Sequence, residues 1–271
     1  MKFSGNTDRS SARYWDDLAE VYQRETRISV EDFHFGPLLY GDSTLKLLPA
    51  VKGRRCLEIG CGAGQNSIVL AKRGAECIAI DISEEQLEFG RKLAAKENVS
   101  VDFRCVSMDA LREDFKDEQP FDFIHSTYAL PFSANPEKVI ADAATMLNAG
   151  GIFLLTTGHP LYAGEWLEIG DDEDGLFISD CFNPEPDVRM SLDDKTMTAA
   201  RYFPLSQISE WIFSAGLLIE RLLEPPAAPM PGMTEKEILA AVPYDSSGWR
   251  ELYPKLVRVP VVAIFKCRKD K

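Results

Sequence analysis

No stretch of this 271-residue chain approaches the roughly 18 to 20 consecutive apolar residues that a bilayer span requires. The amino terminus also lacks the leading apolar run of a secretory leader. A cytoplasmic protein without a membrane partner is therefore expected. Basic residues are in deficit: 30 Lys and Arg stand against 43 Asp and Glu, a formal charge of -13, with a pI near 4.8. A nucleic-acid binder needs a basic footprint to displace counterions from phosphate, and none is visible, which excludes DNA and RNA as expected partners. The six cysteines, Cys56, Cys61, Cys77, Cys105, Cys181 and Cys267, show no C-x-x-C pairing and read as reduced, mostly buried thiols. The acidic cluster Asp171-Asp172-Glu173-Asp174 lacks the register of a calcium loop, so no metal site is expected. Histidine is scarce too: His34, His125 and His159 are the only imidazoles available to any chemistry.

What the chain has is a glycine-rich turn behind a strand. Cys56-Leu57-Glu58-Ile59 is followed by Gly60-Cys61-Gly62-Ala63-Gly64 and then by a helical pattern through Ala71. A chain leaving a strand and entering a helix within a few residues turns sharply, and glycine accepts the required dihedral angles while letting a ligand approach the backbone. Residues Ala75 to Ile80 read as a second, buried parallel strand that ends at Asp81. An acid roughly 20 residues past such glycines is placed to accept hydrogen bonds from ribose hydroxyls. A dinucleotide fingerprint would need its third glycine where Gln65 stands, which disfavours NAD, and no Gly-Lys-Ser/Thr follows to make a P-loop.

The run from Glu58 to Gly64 with Asp81 resembles the class I S-adenosylmethionine-dependent methyltransferases, and the resemblance extends from about Tyr14 through the last strand. Val101 to Val106 looks like the third strand, ending at Met108-Asp109. Phe121 to Ser126 looks like the fourth, followed by Thr127-Tyr128-Ala129-Leu130. Leu147-Asn148-Ala149-Gly150-Gly151 resembles the family's turn into the fifth strand, with Ala149 in place of a proline. Tyr14-Trp15-Asp16-Asp17-Leu18-Ala19-Glu20-Val21-Tyr22 resembles a segment of small-molecule members that folds over the cofactor, and its aromatic residues fall near helical spacing. The resemblance implies an α/β Rossmann-like fold: a seven-stranded, mostly parallel sheet flanked by helices, the last strand antiparallel. It further implies a helical lid over residues 1–50, a cofactor-binding core over 51–158, a cap over 159–200 and the rest of the sheet over 201–271. S-adenosyl-L-methionine would be the cofactor and S-adenosyl-L-homocysteine the product. Implied cofactor contacts are Glu58, Gly60, Cys61, Gly62, Gly64, Asn66, Asp81 for the ribose, Ile82, Met108, Asp109 for adenine, Ser126, Tyr14 and Tyr22.

Past the fifth strand, residues 159–200 show no sustained periodicity and read as a functional cap. Arg201 to Ser214 reads as a helix, Ala215 to Leu223 as the sixth strand, Glu235 to Ala241 as a short helix and Val257 to Phe265 as the last strand, with Pro260 marking an edge or a strand start. His159, at the carboxyl side of the sheet, is the first candidate for a general base and His125 the second, while His34 between Phe33 and Phe35 could line an entrance. Tyr22, Tyr128 and Tyr162 could present ring faces to a sulfonium. The expected reaction is in-line methyl transfer to an oxygen or nitrogen of a small molecule, with carbon and sulfur acceptors open. Three other readings remain: a non-catalytic protein that binds the cofactor or its demethylated product, arsenite methylation using Cys61 or Cys181, and an NAD-dependent oxidoreductase.

Overall fold

The structure, a computed structural model, describes residues 8–170, 173–191 and 195–270. Seven strands form the central sheet: β1 Arg55–Ile59, β2 Glu76–Asp81, β3 Asp102–Cys105, β4 Phe121–Thr127, β5 Leu147–Gly158, β6 Leu217–Leu223 and β7 Val262–Lys269. Their spatial order is β6-β7-β5-β4-β1-β2-β3. All neighbours from β3 to β5 pair in parallel, while β7 runs antiparallel to both β5 and β6. This is the sheet expected from the resemblance. Chain order reverses between β1 and β4, which places a crevice at the carboxyl ends of these strands, where ligands collect in open α/β sheets.

Period-two alternation divides the core between the two faces of the sheet. Cys56, Cys77, Phe123, Leu154 and Ile264 face one apolar cluster together with Phe33, Phe35 and Leu38. Their chain neighbours Leu57, Ile78, Ile124, Leu155 and Phe265 face the other. Helices α1 Asp8–Glu25, α2 Gln65–Lys72, α3 Glu84–Lys96, α4 Pro136–Met146, α5 Leu205–Ser214, α6 Glu235–Ala241 and α7 Ser247–Leu256 surround the sheet. Val69 and Leu70 of α2, Ile238 of α6 and Leu256 of α7 join the first cluster. Val139 and Ile140 of α4 and Ile208 and Ile212 of α5 join the second.

Four boundaries differ from expectation, each for a local reason. Helix α5 starts at Leu205 and not Arg201, because Pro204 sits at its N-cap in an extended conformation. Strand β6 begins only after Gly216, whose φ of 74° turns the chain. The last strand starts at Val262, since a strand paired on both sides needs its N–H groups and Pro260 has none. The residues ahead of it form α7, which carries Pro254 in its interior and escaped the sequence reading. Finally, the cap is ordered as two β-hairpins, Glu165–Gly170 with Glu173–Phe177 and Asp187–Met190 with Met197–Ala200. Asp171 and Asp172 of the acidic cluster lie outside the described residues. No helix among the described residues is long and apolar enough to cross a membrane.

Candidate active site

At the carboxyl end of β1 the chain takes three left-handed steps, at Gly60 (φ 69°), Gly62 (φ 54°) and Gly64 (φ 64°), and enters α2. Two of these glycines also leave no room for a side chain. A Cβ on Gly60 would lie 2.3 Å from the Ala129 Cβ, and one on Gly64 would lie 2.5 Å from the Phe103 ring. The loop is fastened to the next strand: the Gly62 N–H donates to Asp81 Oδ2 at 2.7 Å, and the Ser83 N–H donates to Asp81 Oδ1 at 3.0 Å. The Asp81 carboxylate keeps acceptor capacity for a ligand. Burial pushes the Asp81 pKa up, against the pull of these backbone donors.

Glu58 is 3% exposed and its Oε2 accepts from the Ser67 N–H at 2.9 Å and the Ser67 hydroxyl at 2.6 Å. The neighbour of Oε1 is His125 Nδ1 at 3.9 Å, and the side chain borders the cleft. Burial raises the Glu58 pKa to about 8, only partly offset by the Ser67 bonds. Further along, Asp109 Oδ1 accepts from the Ser133 hydroxyl (2.6 Å) and the Asn135 N–H (3.0 Å), and Oδ2 from the Ala134 N–H (2.9 Å). This carboxylate ties down the turn ahead of α4 and retains one acceptor position on Oδ2.

Helix α1 closes over this floor through polar latches. Asp16 accepts from the Ser83 hydroxyl at 2.7 Å, and Gln23 bonds Gln86 at 2.7 Å and Gln65 at 3.1 Å. On its other side it meets the second cap hairpin, with Thr196 donating to Asp17 at 2.9 Å and Ser11 bonded to Thr198 at 3.2 Å. The cleft measures about 210 Å³. Its lining includes the aromatic residues Trp15, Tyr22, Tyr128, Phe132, Tyr244 and Trp249, together with His34 and Arg189. Glycine floor, strand-end acid, buried glutamate and an aromatic-lined cleft together fit a nucleoside cofactor beside a second small ligand.

Residues 57–155 match the family described as a methyltransferase domain. This segment belongs to the class I S-adenosylmethionine-dependent methyltransferase family. It is 27% identical over 175 residues to the ubiquinone biosynthesis O-methyltransferase of Coxiella burnetii, covering 64% of this chain and 66% of that protein. The match thus spans just under two thirds of that relative's length. An S-adenosylmethionine dependent methyltransferase from Mesorhizobium loti shares the fold with a TM-score of 0.60 and 20% identity, over 84% of this chain and 96% of that one. The [4+2]-cyclase SpnF shares it with a TM-score of 0.63 and 18% identity, over 98% and 97%.

Within this methyltransferase fold, Glu58, Gly60, Cys61, Gly62, Asp81, Ile82, Met108, Asp109 and Tyr22 line the cleft, and Gly64 shapes its floor from below. Other expected contacts do not reach it. Asn66 is fully buried and clamps the His34 peptide instead, accepting its N–H at 2.9 Å and donating to its carbonyl at 3.1 Å. Ser126 turns into the sheet and donates to the Ile59 carbonyl at 3.0 Å. Tyr14 packs edge-on against Trp15, which takes the place in the cleft wall.

The two histidines chosen as bases are corrected as well. His159 Nδ1 accepts the Leu161 N–H at 3.1 Å, which leaves Nε2 protonated and donating to Glu224 at 2.7 Å. Both nitrogens are thus committed to a turn outside the cleft. His125 is completely buried between Phe123 and Phe33 within the β4 layer. Its pKa falls to about 3 through burial, and its ring does not border the cavity. His34, the third candidate, is the imidazole that does. It is 7% exposed, with Nδ1 buried and unpartnered. Sequence reasoning missed Arg189 altogether, because it stands on a hairpin with no apolar period to mark it. Cys61 is buried and Cys181 exposed, and the described residues hold no cluster of three metal-ligating side chains, so nothing supports arsenite chemistry.

Proposed function

We propose that this protein transfers a methyl group from S-adenosylmethionine to an oxygen or nitrogen of a small molecule held in the aromatic chamber. The observation that carries the reading is the single cavity joining the glycine floor and Asp81 to a chamber bordered by His34. Asp81 would hold the ribose hydroxyls with its remaining acceptor capacity. Glu58 Oε1 would take the amino group of the methionine part, and Asp109 Oδ2 one donor of the adenine. Bound there, S-adenosylmethionine supplies an electrophilic methyl on a cationic sulfur and leaves as the neutral thioether S-adenosylhomocysteine.

Alignment is the main task left to the protein, since the acceptor's lone pair must meet the methyl along the carbon–sulfur axis in a site closed to water. Desolvation lowers the His34 pKa to about 3, so the ring is neutral at working pH. A neutral imidazole accepts a hydrogen bond from an acceptor O–H or N–H and thereby turns the acceptor's lone pair toward the methyl. It receives that proton only as the bond to carbon forms. Asn66 supports this by holding the His34 backbone on both sides and by donating to Thr127 Oγ1 at 3.3 Å at the end of β4. Relatives named as O-methyltransferases support an oxygen acceptor.

The decisive experiment incubates the protein and S-adenosylmethionine with a panel of hydroxylated and aminated arenes and quantifies S-adenosylhomocysteine. Acceptor-dependent product from wild type, lost in His34→Ala, is the expected result. Tight cofactor binding with no product from any acceptor would move the chain to the non-catalytic reading, and the fold is also that of a protein described as a cyclase.

A further inference from the structure

The cleft of this acidic chain is lined by Asp8, Glu58, Asp81 and Asp109, and among the described lining residues Arg189 is its one basic side chain. It comes from the cap hairpin and lies over the face of Phe132, with its guanidinium carbon 5.2 Å from the ring centroid. Nε and Nη2 both donate to a single oxygen, Asp187 Oδ2, at 2.9 and 2.8 Å. One edge of the guanidinium is thereby fixed by Asp187, and the Tyr202 hydroxyl is a further neighbour of its charge. The charge acts on a ring of phenols, Tyr14, Tyr22, Tyr128, Tyr162, Tyr202 and Tyr244. The Tyr128 hydroxyl is buried and makes no hydrogen bond, whereas the Tyr202 hydroxyl, on a residue 4% exposed, has Arg189 beside it. A buried hydroxyl without a partner is costly, and the Tyr128 hydroxyl beside this guanidinium makes a pair of donors suited to an acceptor.

Tyr128 adds a second sign of a built site. Its φ of 62° is a left-handed conformation on a bulky residue, held by its N–H donating to the Thr156 carbonyl at 2.8 Å. Such strain persists where the surroundings impose it and collects at ligand sites. It places the ring against Trp249, 6.4 Å between centroids, in the wall of the chamber.

Resting on the methyl-transfer reading, we infer that the acceptor is an anionic arene, an aromatic ring bearing a carboxylate, whose anion docks on Arg189 with the Tyr128 hydroxyl. The aromatic walls receive the ring faces, and Arg189 selects for the charge. Guanidinium–carboxylate pairing out of bulk water discriminates a carboxylate from its neutral amide by tenfold or more. The same chemistry could come from the carboxylate of the cofactor's own methionine part, so the test separates the two sources.

Titration calorimetry with S-adenosylhomocysteine, then with 4-hydroxybenzoate or 4-hydroxybenzamide on the S-adenosylhomocysteine complex, is run on wild type, Arg189→Gln and Arg189→Lys, with melting temperature as the folding control. The inference expects the acid to bind wild type at least tenfold more tightly than the amide. Arg189→Gln should erase that preference, Arg189→Lys should keep part of it, and S-adenosylhomocysteine affinity should stay within threefold throughout. Equal affinity of acid and amide for wild type, or no binding of either, would overturn it. A tenfold loss of S-adenosylhomocysteine affinity in Arg189→Gln, with methylthioadenosine binding unchanged, would overturn it in favour of the cofactor's carboxylate. If wild type fails to bind S-adenosylhomocysteine, the methyl-transfer reading fails, and the acid–amide comparison on the free protein still judges the anion site.

Discussion

Glu58→Gln isolates one carboxyl group whose titration is tied to both stability and cofactor binding. The side chain is buried, and its pKa rises from the ordinary 4.5 to about 8 because burial penalises the charge more than Ser67 stabilises it. An unfolded chain ionises this group near 4.5, whereas the folded protein holds its proton until about pH 8. Its contribution to stability is therefore complete below about pH 4.5 and is lost progressively as pH climbs to about 8. At 1.36 kcal/mol per pH unit the loss amounts to about 5 kcal/mol, an upper figure. Glutamine keeps the volume and an oxygen for Ser67 but does not titrate. Urea denaturation of the cofactor-free protein at pH 5, 6.5 and 8 should show wild type losing several kcal/mol relative to Glu58→Gln across that range. Cofactor binding supplies a second readout. A carboxyl with a pKa of about 8 is roughly 97% protonated at pH 6.5, and a cationic amine against Oε1 would ionise it. Calorimetry in two buffers of different ionisation enthalpy should report release of about one proton in wild type and none in the variant. Parallel pH-stability curves for the two proteins, or binding without proton release, would refute the reasoning.

His34→Ala should cut turnover by about 10²- to 10⁴-fold and leave S-adenosylhomocysteine affinity within threefold, as initial rates and calorimetry would report. His159→Ala should keep wild-type turnover and instead lose about 1–2 kcal/mol of stability in denaturant, from the Leu161 and Glu224 bonds it forfeits. Gly60→Ala and Gly53→Ala meet the same backbone cost of about 1–2 kcal/mol, since both φ values are near 70°. Gly53 has nothing within 4 Å of the new methyl and Gly60 has Ala129 at 2.3 Å, so only Gly60→Ala should also abolish cofactor binding in a thermal-shift assay. Asp81→Asn turns an amide group toward one of two N–H donors, and should weaken S-adenosylhomocysteine binding at least tenfold by calorimetry.

The cofactor half of the cleft was legible because its constraints act locally. Left-handed glycines, an acid at the end of the next strand and alternating buried strands each leave a mark within a few residues of sequence, and the sheet order follows. The acceptor half was not, because it is assembled from segments with no period of their own. His34 sits in an irregular stretch between two core phenylalanines, and the Asn66 clamp from α2 and the Tyr244 ring set its position. His159 stood at the right end of β5, but Pro160 starts a turn there that consumes both ring nitrogens. His125 occupies an inward-facing strand position with no opening beside it. Ser126 and Tyr14 sit one residue away from cleft residues Thr127 and Trp15, a difference in facing that the motif alone does not resolve. Helix α7 carries Gly248 and Pro254, both weak helix formers, which disguised the element that brings Trp249 to the chamber.

Titration calorimetry of the purified protein with S-adenosylmethionine, S-adenosylhomocysteine and NAD tests the central claim without knowledge of the acceptor. The account predicts binding of the first two and none of NAD. Binding of NAD alone would contradict it, placing a dinucleotide over a glycine loop whose third position is Gln65.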